Sequence, residues 1–99
     1  MSLYKEILAE MQELHDRKAN DYTSGDEFGN FVEAERIGIP DWKGAFIRLQ
    51  DKYTRLCNAV GGKELMVNDE TIEDTLIDMA NYSVLILAMY KRKKRRANE

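Results

Sequence analysis

Between Glu70 and Tyr82 the chain reads ETIEDTLIDMANY, with no glycine or proline to interrupt a helix. Glu70, Asp74 and Asp78 recur every four residues, and Asn81 follows three later. On an α-helix that spacing places all of them on one face. Carboxylates at i and i+4 repel, at a cost of roughly 0.2–0.5 kcal/mol per pair in an isolated helix. A divalent cation is the simplest group to offset the repulsion. Mg2+ takes oxygen ligands from one or two carboxylates, waters and substrate phosphates. The alternative is a solvated acidic face near a helix N-terminus, where the macrodipole favours negative side chains. That accounts well for Asp69 and Glu70 and poorly for Asp78, which lies beyond the first turn.

A second charged face precedes it. Arg48, Asp51, Lys52 and Arg55 stand at i, i+3, i+4 and i+7 of one helical pattern. Three cations around one carboxylate make an ordinary salt-bridge ladder. They equally suit a polyphosphate, with Asp51 turned to a metal ion. A third cluster lies in the loop-like segment 15–31, HDRKANDYTSGDEFGNF, which holds His15, Lys18, Asn20, Asp21, Tyr22 and Asn30. Ligand-capable side chains on a loop between rigid helices are a common binding arrangement. Turn chemistry alone also accounts for Asn20 and Asp21, and a helix C-terminus for Lys18.

Other chemistries are excluded by what is missing. No Walker-type glycine loop and no Gly-x-Gly-x-x-Gly run occurs. One His and one Cys do not make a zinc site of the usual kind. The donors that remain are oxygens: Asp51 on one helix, and Glu70, Asp74 and Asp78 on another. Opposite them, Arg48, Lys52, Arg55 and Lys18 would neutralise a triphosphate. Asn81 is placed to orient a ligand, and Tyr22 or Trp42 to stack on a base.

These groups need helices to position them. Tyr4, Ile7, Leu8, Met11 and Leu14 give an amphipathic helix over about Ser2 to Ala19, with Ser2 as N-cap. A short helix is expected over Phe31 to Ile37, closed by Gly38. Pro40 and Asp41 open the next, from about Trp42 to Val60, with Leu49, Tyr53, Leu56 and Val60 as its core stripe. Cys57 fits there as a small core residue. Gly61 and Gly62 stop it, and Asn68 or Asp69 caps a last helix running to about Lys94. In that helix Ile72, Leu76, Met79, Ala80, Ser83, Val84 and Leu87 form an apolar stripe. Further apolar groups from Leu85 to Tyr90 cover more than one face. Such a helix packs against its own chain and against a second subunit. A homodimer or higher homo-oligomer is therefore expected.

The 99 residues make one all-α domain, with 91–99 a basic tail expected to fray. Lys91 to Arg96 supply six of the fifteen basic residues, so 1–90 holds 9 basic and 17 acidic residues. An acidic body argues against duplex nucleic acid as the main partner. No apolar run reaches the ~18 residues of a membrane span. A single cysteine and the absence of a signal-peptide pattern suit the cytoplasm.

KANDY at 18–22, NF at 30–31, RLQDKYTRL at 48–56 and ETIEDTLIDMANY at 70–82 together resemble the phage-associated nucleotide-modification domain family. That family looks like a branch of the all-α nucleoside triphosphate pyrophosphatases, the MazG-like fold. The resemblance spans about 14–85. It implies a compact four-helix bundle that assembles as a dimer or larger. It also implies Mg2+-dependent cleavage of a nucleoside triphosphate between the α and β phosphates, with metal-bound water attacking phosphorus. The superfamily pattern is a Glu-x-x-Glu pair on one helix and a Glu-x-x-Asp pair on the next. By that pattern Asp78 matches the final Asp, Asp74 sits one turn before it, and Asp51 falls near the first pair. Glu70 or Asp74 is the expected general base. Two departures stand out. Arg48 occupies the position three before Asp51, and Asp74 and Asp78 are spaced by four rather than three. Glu33 or Glu35 would have to supply the missing acid. A non-catalytic nucleotide-binding module of a modification system is the competing reading, and a plain helical scaffold a third.

Overall fold

The structure is a computed structural model. It describes residues 2–19, 31, 33–62 and 70–98, except the side chains of Ala19, Glu70 and Thr71. The described residues form three α-helices, α1 (Leu3–Ala19), α2 (Asp41–Val60) and α3 (Glu70–Ala97), with a 3-10 helix over Glu33–Ile37 before α2. Among them there is no strand, and the all-α class holds. No helix among them is long and apolar enough to cross a membrane.

The helix ends follow from local chemistry. The Lys5 amide donates to Ser2 Oγ at 3.2 Å, so Ser2 caps α1 as its residue type suggests. Gly38, at φ 81°, takes the left-handed conformation that ends the 3-10 helix. The carbonyl of Pro40 then accepts the Lys43 amide at 3.0 Å, and Asp41 Oδ1 accepts the Trp42 amide at 2.7 Å. These contacts occupy amides that the first turn of α2 leaves without helical partners. After α2, the Gly61 amide returns to the Cys57 carbonyl at 2.9 Å and Gly62 turns left-handed at φ 80°.

α2 and α3 are the packed pair. Asp41 at the start of α2 meets Arg92 late in α3, and Lys52 further along α2 meets Asp78 nearer the start of α3, so the two run antiparallel. Ala45 on α2 and Leu85 and Met89 on α3 are buried together with Phe31. Trp42, Tyr82, Ile86 and Ala88 pack around them. Ala45 is fully buried, and its small side chain suits a close approach of the two helices. Edge-to-face contacts extend the core: Phe31 with Tyr82 at 6.2 Å between centroids, and Trp42 with Tyr90 at 6.1 Å.

α1 is less tightly held. It lies along α3 across a cleft of about 530 Å3 lined by Leu8, Met11, Gln12 and His15 on one side and Asn81, Val84, Leu85 and Ala88 on the other.

Several sequence expectations change here. Of the short helix expected over Phe31 to Ile37, Phe31 is α-helical and Glu33–Ile37 form the 3-10 helix, so three long α-helices are found among the described residues. On α2, Tyr53 is 58% exposed and Val60 76%, so neither belongs to the core. The buried strip of α2 follows Asp41, Ala45, Leu49, Lys52 and Leu56, and residues at Tyr53 and Val60 fall to one side of a helix with a single large partner. Cys57 is likewise exposed. The basic segment expected to fray stays helical to Ala97, with the Asn98 amide closing onto the carbonyls of Lys94 and Arg95. Cations at a helix C-terminus are favoured by its dipole.

The carboxylate of Asp41 is buried, and Arg92 Nη2 donates to its Oδ2 at 3.3 Å. Removing the cation leaves a buried charge without its counter-ion, which costs more than the pair contributes. Arg92→Met is expected to lower unfolding free energy by about 1–3 kcal/mol, below the range for fully buried pairs because Arg92 is partly solvated. Adding Asp41→Asn should recover part of the loss. Urea midpoints of the two variants and the parent protein check both statements.

Candidate functional site

Arg48, Asp51, Lys52 and Arg55 line one cleft of about 240 Å3, together with Tyr82 from α3. Their spacing along α2 places them on its edge beside α3, next to the buried strip through Lys52. Lys52 Nζ reaches across to Asp78 Oδ2 at 3.1 Å, both side chains being about one-third exposed or less. One residue of each charged face therefore meets the other across the seam, while neither Asp74 nor Asp78 lines the cleft that holds Asp51.

Among the described residues, Arg48, Arg55 and Asp51 take part in no ion pair, so the ladder reading of this face is not realised. Lys52 is four residues from Arg48 and three from Arg55, and such neighbours repel by a few tenths of a kcal/mol per pair. An anion in the cleft would relieve that repulsion. Guanidinium groups are suited to phosphate because they donate two parallel hydrogen bonds. The volume is below the roughly 300–1,000 Å3 of a typical small-molecule pocket, so the cleft has room for phosphates while a sugar and base would extend beyond it.

The remaining sequence candidates divide. Asp74 is exposed, one turn before Asp78. Asn81 lines the α1–α3 cleft opposite Gln12 and His15, not the cationic cleft. On α3 its position is turned away from α2, which is why the spacing after Asp78 did not bring it to the same partner. Lys18 is exposed near the end of α1 and does not line the cationic cleft. Trp42 belongs to the core edge, packed on Tyr90 with the Lys43 ammonium 5.6 Å from its ring centre. Glu33 pairs with Arg36 at 3.2 Å, and Glu35 lines a separate cleft with Gly38, Pro40, Asp41, Arg92 and Arg96, so neither joins Asp51. Asn20, Asp21 and Tyr22 lie outside the described residues, as does the side chain of Glu70.

Among the described residues no three of His, Cys, Asp and Glu gather closely enough to hold a metal ion between them. The donors nearest that role are Asp78 and, one turn away, Asp74. Two carboxylates are of the kind and number that Mg2+ accepts when substrate phosphates complete its shell. In that arrangement Lys52 must release Asp78.

Tyr82 is the site residue that sequence reasoning left without a role. Its signal was present, since it lies four residues after Asp78 and so on the same face of α3. Among the described residues, the one titrating side chain with a clear displacement is Tyr53 on α2. A hydrogen bond with Cys57, and then that group's charge, push the phenol above its usual value.

No protein-family model, no curated protein and no solved structure matches this chain.

The partly exposed Lys52–Asp78 contact is expected to be a weak structural element. In a double-mutant cycle with Lys52→Met and Asp78→Asn, the coupling in unfolding free energy should stay below about 1 kcal/mol. A larger coupling would mark the pair as structural rather than available for a ligand.

Proposed function

We propose that the α2–α3 cleft grips the phosphates of a nucleotide. The protein is then a Mg2+-dependent (deoxy)nucleoside triphosphate pyrophosphohydrolase-like enzyme of the MazG-like, all-α kind, acting in phage nucleotide metabolism or modification. The observation that carries the reading is the convergence of Arg48, Lys52 and Arg55 in one cleft between two helices, in a chain whose first ninety residues are strongly acidic. The likeness of KANDY, RLQDKYTRL and ETIEDTLIDMANY to that family supports it, as does the fitting of an all-helical scaffold. The four-helix bundle belongs to this proposal.

In this reading Arg48 and Arg55 bind phosphate oxygens through paired N–H donors, and Lys52 moves from Asp78 to the incoming phosphates. Asp78, with Asp74 one turn before it, is then free for Mg2+, which when bound polarises a phosphoryl oxygen and makes water more acidic. Asp51 keeps a carboxylate at the edge of the cationic cluster. Tyr82 forms a wall on the α3 side. Glu70 or Asp74 accepts the proton of the attacking water. The bond broken is the one between the α-phosphorus and its bridging oxygen, with pyrophosphate as leaving group.

The second reading, a nucleotide-binding module without turnover, is favoured by one feature. Arg48 stands where the family places its first acidic ligand, and a cation at that position serves binding better than metal chemistry.

Incubation with a panel of ordinary and modified triphosphates and Mg2+ should release pyrophosphate. Asp78→Ala should abolish release with helicity unchanged, and Arg55→Ala should weaken nucleotide affinity about tenfold or more. Calorimetric binding without pyrophosphate release supports the module reading. Neither binding nor release across the panel, with the fold intact, refutes both.

A further inference from the structure

α3 outruns its partner helix. Asp41, the first residue of α2, meets Arg92, so the end of α3 continues to Ala97 beside Glu35 and the Gly38–Pro40 turn. Lys91 to Arg96 are six consecutive cationic residues in that segment. The helix dipole accounts for Lys94, Arg95 and Arg96 in the last turn, and not for the three before them. Two acids touch the cluster among the described residues. Asp41 holds Arg92, and Glu35 lines one cleft with Lys93 and Arg96. Setting one cation against each acid leaves four of the six without an opposite charge.

The acidic end of the same helix is too distant to cancel them. Asp78 is the acid of α3 nearest the cluster, thirteen residues before Lys91, or about 20 Å along the axis. The Debye length at physiological salt is about 8 Å. Aromatic rings, by contrast, are close. Tyr90 directly precedes the cluster, is 46% exposed, and meets Trp42 edge to face. The Lys94 ammonium is 5.6 Å from the Tyr90 ring centre, and the Lys43 ammonium 5.6 Å from that of Trp42. Cations beside an exposed ring on one rigid surface are the elements that hold a single strand of nucleic acid, phosphates on the cations and nucleobases on the ring.

The geometry discriminates among polyanions. Six consecutive residues of an α-helix point all round its axis, at intervals of about 100°. An anionic membrane is flat and meets only the side turned toward it. A flexible strand wraps the tip and reaches most of the ring of charge. A duplex keeps its nucleobases stacked on one another and has none to lay on Tyr90.

We infer that the basic end of α3 binds single-stranded nucleic acid, with its cations on successive phosphates and a nucleobase stacked on Tyr90. The Lys94 ammonium gives up the ring to the nucleobase and takes a flanking phosphate. This binding is independent of the nucleotide reading, and its test contains neither Mg2+ nor a triphosphate. Fluorescence anisotropy of labelled oligo-dT and oligo-U with the full chain in EDTA should show binding in the micromolar range. With about four phosphates neutralised, log K should fall against log salt with a slope of about −3. A chain carrying Lys91→Gln, Lys94→Gln and Arg95→Gln should bind about tenfold or more weakly, with a slope near about −1. Tyr90→Leu should weaken binding of the single strands about fivefold or more and leave that of a duplex unchanged, while Tyr90→Phe retains it. Arg55→Gln, in the α2–α3 cleft, should change it less than about twofold. All these positions are exposed, and circular dichroism checks that helicity is kept. No binding of either strand, binding lost through Arg55→Gln and not through the basic end, or indifference to Tyr90→Leu would overturn the assignment. So would binding to phosphatidylserine vesicles with none to either strand.

Discussion

The antiparallel seam between α2 and α3 is the constraint on which the rest depends. It is narrow. Ala45 lies in it, Leu85 and Met89 fill it, and a cross-helix ion pair sits on each side of that small core. The Asp41–Arg92 pair is mostly buried, with the carboxylate also accepting an amide from its own helix. In the Lys52–Asp78 pair both side chains are about one-third exposed or less, and the carboxylate is the more open of the two carboxylates. This asymmetry separates the two contacts in role. The first holds a carboxylate away from solvent, while the second leaves its carboxylate partly hydrated.

The candidate site is a by-product of that alignment. With Ala45 turned into α3, the next turns of α2 must present Arg48, Asp51, Lys52 and Arg55 along the edge of the seam. Arg48 and Arg55 stand one turn either side of Lys52 on the same edge of the helix. The same alignment turns Asn81 out of reach, toward α1 and His15.

A small core also leaves much apolar surface to be covered. Only Phe31, Ala45, Leu85 and Met89 are buried hydrophobic residues among those described. A chain of this length has little interior to spare. Leu3, Tyr4 and Ile7 of α1, Phe46, Tyr53 and Val60 of α2, and the stripe on α3 all face solvent in the single chain. Association is the usual means by which small helical domains bury such surface.

The sequence by itself determined the helices. Their periodicity, the Ser2 cap, the Pro40–Asp41 start and the glycine stops depend on neighbours within a few residues, and such signals are complete in one dimension. It also put Arg48, Asp51, Lys52 and Arg55 on one face and Asp74 and Asp78 on another, because helical spacing alone does so. Only the tertiary structure decided which faces meet. Helix rotation is set by side-chain volumes across the seam, and a pattern such as Leu49, Tyr53, Leu56 and Val60 does not say which of its residues the partner covers. That packing exposed Tyr53, Val60 and Cys57, brought Tyr82 to the cleft, and joined the acidic and basic faces through Lys52 and Asp78.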